Sequence, residues 1–285
     1  MMKKLLLQLD SDRLASAFDQ VVAHDAGADE VLAFAGVKPE DVRNLVYGAI
    51  FTRGPKDLKN TAVFIGGADM SVGEKMLEEA KKSFFGPFKV SLMLDSNGSN
   101  TTAVAGVLKL IQAADGVRGK RVLILAGTGP VGARAAGLFA QAGAAVTITS
   151  RDEKGGARAK AAIESRFGVS VQAVAAQYPL GRGSLADEAD VVLAAGPPKI
   201  RLLTKDAWAG RSPRVLGDVN AVPPLGIEGV EVNDDAEARE GAVVFGALGI
   251  GNLKMKLHKA CIAHLFEAND RVLDAESIYE LGQSL

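Results

Sequence analysis

Val122-Leu-Ile-Leu-Ala126-Gly127-Thr128-Gly129-Pro130-Val131-Gly132 runs from a continuous apolar stretch straight into three glycines spaced Gly-x-Gly-x-x-Gly. Such a pattern alone marks many tight turns. Its surroundings make it more specific. Val122 to Ala126 reads as a buried strand, Pro130 to Ala142 as a helix with proline at its first position, and Ala145 to Ser150 as a second strand. Strand, glycines, helix and strand within about 30 residues make a dinucleotide-binding βαβ unit of the Rossmann type. Gly127 permits the tight turn, Gly129 lets the backbone approach a diphosphate, and Gly132 lets the helix pack close to the sheet. Thr128, Pro130 and Val131 complete the loop, whose free N–H groups and helix dipole face the anion.

The end of the second strand selects the dinucleotide. A site for NAD usually places Asp or Glu there, to bond the ribose hydroxyls. This chain has Thr149-Ser150-Arg151 instead. The Arg151 guanidinium can pair with a 2′-phosphate and Ser150 can donate a further hydrogen bond, so NADP is expected. The plainer alternative is that Arg151 is a solvated loop residue. Asp152 and Glu153 follow at once and could turn inward, which leaves NAD open as a second cofactor. Two later strand ends, at Ala195-Gly196 and at Asn220, are small or polar and are expected to line the cofactor crevice. Gly246, just after a strand ending at Phe245, is a further position for close approach.

Outward from this unit the chain keeps alternating strands and helices. Strands are expected at Leu5 to Leu9, Val31 to Gly36, Thr61 to Gly67 and Lys89 to Leu94. Helices are expected at Leu14 to Val22, from Pro39, at Met70 to Lys82 and at Gly98 to Ala114. After the Rossmann loop come a helix at Ala157 to Phe167 and strands at Val169 to Val174, Val191 to Ala195, Arg214 to Asp218 and Ala242 to Phe245. From Leu253 onward the pattern is helical, with Leu253, Leu257, Cys261 and Leu265 on one stripe. The fold class is therefore α/β with parallel sheets in two domains. Residues 1–115 form an N-terminal α/β substrate domain and residues 116–250 the Rossmann NADP-binding domain. Residues 251–285 are C-terminal helices that pack back toward the first domain. The polar break Asp115-Gly-Val-Arg-Gly-Lys-Arg121 marks the first boundary.

Bulk composition excludes several classes. Thirty-three Lys and Arg against 34 Asp and Glu leave a net charge of −1, so nothing electrostatic recommends a nucleic acid as partner. One cysteine, Cys261, permits no internal disulfide, and three scattered histidines lack ligand spacing, so no metal site is expected. The apolar run after Lys3-Lys4 is interrupted by Gln8 and Asp10 and reads as a strand rather than a signal peptide. With no run of roughly 20 apolar residues, a membrane partner is not expected either, and the expected location is the cytoplasm.

The other unusual segment is Asp95-Ser-Asn-Gly-Ser-Asn100-Thr101-Thr102, after a strand of the first domain. A helix N-cap accounts for one or two such residues. A polar rim facing a ligand accounts for the rest. In Gly246-Ala-Leu-Gly249-Ile-Gly251-Asn-Leu-Lys254-Met-Lys256 two lysines stand near an expected helix start, where cations are unfavourable, which makes them candidates for ligand contact.

Taken together, Phe85-Gly-Pro-Phe88, Met93-Leu-Asp-Ser-Asn-Gly-Ser-Asn-Thr-Thr102, Ala126-Gly-Thr-Gly-Pro-Val-Gly132, Pro223-Pro-Leu-Gly226 and Phe245-Gly-Ala-Leu-Gly-Ile-Gly251 carry a family resemblance. Lys254-Met-Lys-Leu-His258 and Ala260-Cys-Ile-Ala263 extend it to essentially the whole chain, with residues 151–215 more divergent. The chain resembles the bacterial methylene-tetrahydromethanopterin/methylene-tetrahydrofolate dehydrogenases of methylotrophs. That resemblance implies a two-domain homo-oligomeric enzyme with a pterin bound opposite the nicotinamide. The reaction it implies removes hydride from a CH₂ bridging two nitrogens and leaves a delocalised methenyl cation. No proton moves in that step, which suits a chain without an evident general base. Alignment of the donor carbon and negative potential near the developing cation are what it needs. On this reading Asp95 stabilises charge or orients substrate, and Asn100, Thr101 and Thr102 bond the pterin edge. Lys256, ahead of Lys254, binds a pterin oxygen or orders the site; two positions apart, the lysines point to different faces and do not share one role. Two other readings stand beside it: a quinate/shikimate-like NADP-dependent alcohol dehydrogenase, and a non-catalytic NADP-binding sensor. His258, His264 and Cys261 read as packing residues.

Overall fold

The computed structural model describes residues 2–285, which divide into two compact units, residues 2–101 with 255–285 and residues 102–254. The first unit is a five-stranded, wholly parallel sheet. Its strands are β1 (Leu5–Asp10), β2 (Glu30–Phe34), β3 (Thr61–Gly66), β4 (Ser91–Leu94) and β12 (Val272–Leu273), in the order β2-β1-β3-β4-β12. Counted along the chain this is 2-1-3-4-5, the doubly wound order of flavodoxin-like sheets. Side chains alternate across it. Leu7, Leu9, Val63, Ile65, Leu92 and Leu94 point to one face, where they pack with α2 (Val42–Ile50) and α3 (Met70–Lys82) through Val46, Ile50, Met76 and Leu77. On the other face Phe64 stacks on His258, ring centroids 5.5 Å apart.

The second unit is a seven-stranded sheet. Chain order gives β5 (Arg121–Leu125), β6 (Ala145–Ser150), β7 (Gln172–Ala175), β8 (Val191–Ala194), β9 (Val215–Asp218), β10 (Asp235–Arg239) and β11 (Ala242–Phe245). Spatially they run β10-β11-β9-β8-β5-β6-β7, all parallel except β10. Without β10 this is the Rossmann order 3-2-1-4-5-6, with the reversal of winding between β5 and β8. One face is closed by Leu123, Leu125, Val192, Ala194, Leu216 and Val244, packed around the fully buried Trp208.

Several elements differ from the sequence reading for identifiable reasons. Helix α1 (Ala17–Asp25) starts three residues later than Leu14, because Ser16 caps it by accepting the Asp19 amide at 3.3 Å. Helix α6 (Glu153–Phe167) starts earlier than Ala157, capped by Asp152. β10 is polar and exposed, so no apolar alternation announces it. It pairs with β11 through the two-residue turn Glu240-Gly241, both residues at positive φ (49° and 83°), which is the turn form that suits a hairpin. The C-terminal segment is not one run of helix. Helix α7 (Ala247–Leu265) ends, β12 follows as the fifth strand of the first sheet, and α8 (Ala275–Gly282) closes the chain. The division between the units falls inside α4 (Ser99–Ala113) rather than at the 115–121 break. The cause is packing: Leu110 of α4 lies so close to the Rossmann sheet that a Cβ on Gly217 would meet it at 2.8 Å. No helix among the described residues is long and apolar enough to cross a membrane.

Candidate functional site

Between β5 and α5 (Pro130–Gln141) the glycine loop has the geometry its spacing implies, with one difference. Gly127 donates its amide to the Thr149 carbonyl at 3.0 Å, and a Cβ there would strike Ile148 at 2.7 Å. A Cβ on Gly132 would lie 2.7 Å from the Gly127 Cα, so the first turn of α5 rests directly on the loop. Around Gly129, the N-cap of α5, nothing lies within 4 Å of a Cβ position. One glycine is needed for the strand, one for the helix, and one opens the backbone toward a ligand. The difference is that the left-handed residue of the turn is Ala126 (φ 54°), not a glycine. Its amide is held by Thr149 Oγ1 at 2.9 Å and Tyr178 Oη at 3.0 Å, and those two hydroxyls also bond each other. Tyr178 stands 52 residues from Ala126 and carries no local signal of this role; only the returning chain after β7 brings it there.

At the end of β6 a hollow of about 400 Å³ is lined by Thr128, Ser150, Arg151, Asp152, Gly155, Arg158 and Ala159. It joins Thr128 of the glycine loop to the end of β6 and the first turns of α6. Arg151 is exposed and its guanidinium has no ion pair among the described residues. Ser150 is buried and turns its hydroxyl to the Asp152 carbonyl at 2.7 Å. Asp152 uses its carboxylate on α6, accepting the Gly155 amide at 2.6 Å. The first acid after the strand end is therefore engaged as a helix cap.

The other strand ends divide. Ala195 donates its amide to Leu125 at 3.0 Å, and a Cβ on Gly196 would meet the Ala126 Cβ at 3.3 Å, so both adjoin the glycine loop. Asn220 is buried in its own turn, donating to the Val222 and Pro224 carbonyls at 3.1 and 3.2 Å and accepting the Val222 amide at 2.9 Å. Its neighbour Asp218 accepts the amides of Asn220 and Ile227 at 3.0 and 2.9 Å. Burial raises its pKa from an ordinary 3.8 to about 6, against the pull of those bonds. Gly246 is tight against protein rather than open to a ligand: a Cβ there would stand 1.9 Å from the Glu231 carbonyl oxygen.

In the first unit Asp95 ends β4, 2% exposed. One carboxylate oxygen accepts the amides of Asn100 and Thr101 at 2.9 and 3.0 Å, and the other accepts Thr101 Oγ1 at 2.6 Å. Asn100 donates to the Leu94 carbonyl at 2.5 Å. Asn100 and Thr101 are fully buried, whereas Thr102 is half-buried. The polar run thus builds its own frame: Asp95, Asn100 and Thr101 tie strand end to helix start. Asn97, exposed and at φ 54°, is the outermost residue of that turn. Helix α7 begins at Ala247, so Lys254 and Lys256 lie two turns inside it, where the dipole argument for them no longer applies. Lys254 is half-buried and Lys256 exposed. His258 is fully buried against Phe64 and 4.0 Å from Asp19. Burial, with the Asp95 charge adding to it, pushes the Cys261 thiol far up, so that it stays protonated and unreactive.

The family model described as methylene-tetrahydromethanopterin dehydrogenase, N-terminal, matches residues 17–97. The bifunctional protein MdtA of Methylorubrum extorquens is 47% identical over 287 residues, covering all of both chains. The NAD(P)-dependent methylenetetrahydromethanopterin dehydrogenase of the same organism is 34% identical over 292 residues, 99% of this chain and 98% of that one. Among solved structures, a shikimate 5-dehydrogenase from Mycobacterium fortuitum aligns over 99% of this chain and 98% of its own. Its TM-score is 0.51 at 17% identity, a likeness of fold alone.

Proposed function

The chain belongs to the methylene-tetrahydromethanopterin dehydrogenase family, and on that premise we propose that it transfers hydride reversibly from methylene-tetrahydromethanopterin to NADP, giving the methenyl form. The observation that carries the reading is full-length identity of 34% to a relative whose name states that activity. The shikimate-like alternative draws only on a shared fold, and fold does not fix chemistry. A sensor without turnover has no support from these relatives.

The residues fit the cofactor. Open backbone at Gly129 and the N-terminus of α5 suit a diphosphate, and Arg151 beside Thr128 suits a 2′-phosphate. Gly127, Thr128, Gly129, Pro130, Val131 and Gly132 form the loop, and Ala195 and Gly196 are its small neighbours. When bound, the nicotinamide supplies the hydride acceptor. The chain's own work is then to orient and to exclude water. Asp95 acts as a positioning residue: its bonds fix the first turn of α4, and its buried negative charge favours a cation nearby. Because Asn100 and Thr101 bond within the frame, the exposed Lys256 is the group we assign to the pterin. Exposed Leu14, Phe18 and Val21, four and three residues apart along α1 and its approach, support a homo-oligomer. Light scattering that returns a monomer would remove that part of the reading.

The decisive assay follows NAD(P)H absorbance with methylene-tetrahydromethanopterin and methylene-tetrahydrofolate, each crossed with NADP and NAD. A rate with the first pterin and NADP is expected; absence of any rate in the four combinations overturns the enzyme reading. Lys256→Met should raise the pterin KM, and an unchanged KM would remove Lys256 from the site.

A further inference from the structure

Arg158 is seven residues beyond Arg151, yet it lines the same hollow as Arg151 and Thr128. The helix explains how. Gly155, Arg158 and Ala159 are spaced i, i+3 and i+4 and share one face of α6. Helical side chains lean toward the N-terminus of their helix, so Arg158 is carried back over Gly155 toward the end of β6. Gly155 has no side chain to obstruct it and Ala159 has only a methyl group. The exposed Arg158 side chain has no ion pair or hydrogen bond among the described residues, and neither has that of Arg151. The one carboxylate lining the hollow, Asp152, is turned onto the Gly155 amide.

Two uncommitted guanidiniums in one hollow beside a dinucleotide loop call for a dianion. We propose that Arg158 is a specificity-determining residue, which with Arg151 clamps the 2′-phosphate of NADP(H), a group that NAD(H) lacks. This rests on the NADP reading above and adds to it. Arg151 comes from the strand end and Arg158 from the helix, so the two approach the hollow from different elements. A phosphate dianion satisfies both, since each guanidinium presents a planar fork of donors to separate oxygens. A solvated arginine on an open helix face would give no such discrimination between cofactors.

The test is binding, measured by calorimetry on the full-length protein without pterin, so it does not depend on the substrate being right. NADPH, NADH, adenosine 2′,5′-bisphosphate and 5′-AMP are titrated into wild type, Arg158→Ala and Arg158→Lys. Arg158→Ala should weaken NADPH and the bisphosphate by about tenfold or more, as expected for a lost charge-assisted contact, while NADH and AMP change by less than about twofold. Arg158→Lys should recover part of the loss. Equal loss for NADPH and NADH, or loss for neither, overturns the clamp in a wild type that prefers NADPH. A wild type that holds NADPH and NADH alike overturns the NADP reading and the clamp with it.

Discussion

A methyl group at Gly132 would sit 2.7 Å from the Cα of Gly127. Backbone cannot swing aside as a flexible side chain can, so Gly132→Ala must push α5 off the loop. Overpacking of this kind costs about 1–3 kcal/mol. Urea unfolding should show that loss together with weaker NADPH binding. An alanine variant as stable as wild type would mean that the helix moves away more freely than this contact allows.

Gly129→Ala should behave in the opposite way. No protein atom lies within 4 Å of the added methyl, so stability should stay within about 0.5 kcal/mol of wild type. The methyl occupies the space that a diphosphate needs, and NADPH affinity should fall at least tenfold, a cost of about 1.4 kcal/mol. Calorimetry beside a urea curve separates the two effects. Unchanged affinity would place the diphosphate elsewhere.

Those glycines also show how far the sequence could be read. Their roles were legible because each is a local steric demand, expressed within six residues of chain. The parallel α/β build was legible for a similar reason, since strands alternating with helices imply parallel pairing. The left-handed Ala126 was not, because an alanine gives no sign of its φ. Nor was the Tyr178 hydroxyl beneath the loop, which arrives through a contact spanning 52 residues. The Asp95 run was recognisable as unusual, but its polarity could not tell ligand contact from self-bonding. Only the distances reveal that Asp95 and Thr101 satisfy each other. Arg158 escaped because its partner in the hollow lies seven residues away, a separation that means nothing until the helix start is known.

Asp95→Ala leaves the amides of Asn100 and Thr101 and the Thr101 hydroxyl without their acceptor in a site that is 2% exposed. Buried donors stranded in this way cost about 1–3 kcal/mol. Thr101→Val removes only one of the bonds and should cost less, about 1 kcal/mol. Thermal unfolding of both variants measures the difference. If Thr101→Val were the worse of the two, the carboxylate would not be the centre of this frame.

Ala126→Gly should be neutral or stabilising, unlike most substitutions beside a buried loop. An L-residue at φ 54° is disfavoured by about 1–2 kcal/mol, and glycine adopts the same conformation freely. Against this, glycine adds freedom to the unfolded chain and gives up the methyl that faces Gly196. The net expectation is a gain of up to about 1 kcal/mol in chemical denaturation. A loss larger than about 1 kcal/mol would show that the methyl contact outweighs the backbone conformation.

Asp218 should leave a signature in the pH dependence of stability. Its carboxyl titrates near 6 in the folded chain, raised by burial from an ordinary 3.8. Between those two values the folded state keeps a proton that the unfolded state releases. Stability from this group is therefore fully present below about pH 4 and is lost as pH rises toward about 6, by about 3 kcal/mol at most. Other carboxylates titrate in the same range, so the wild-type curve alone does not isolate it. Asp218→Asn does, because asparagine keeps the size and one acceptor but carries no proton equilibrium. The unfolding free energy of the variant minus that of wild type should rise between pH 4 and pH 6.5 and level off above. If that difference stayed flat, or fell as pH rose, the buried carboxyl would be ionised throughout, held by the Asn220 and Ile227 amides in spite of its burial.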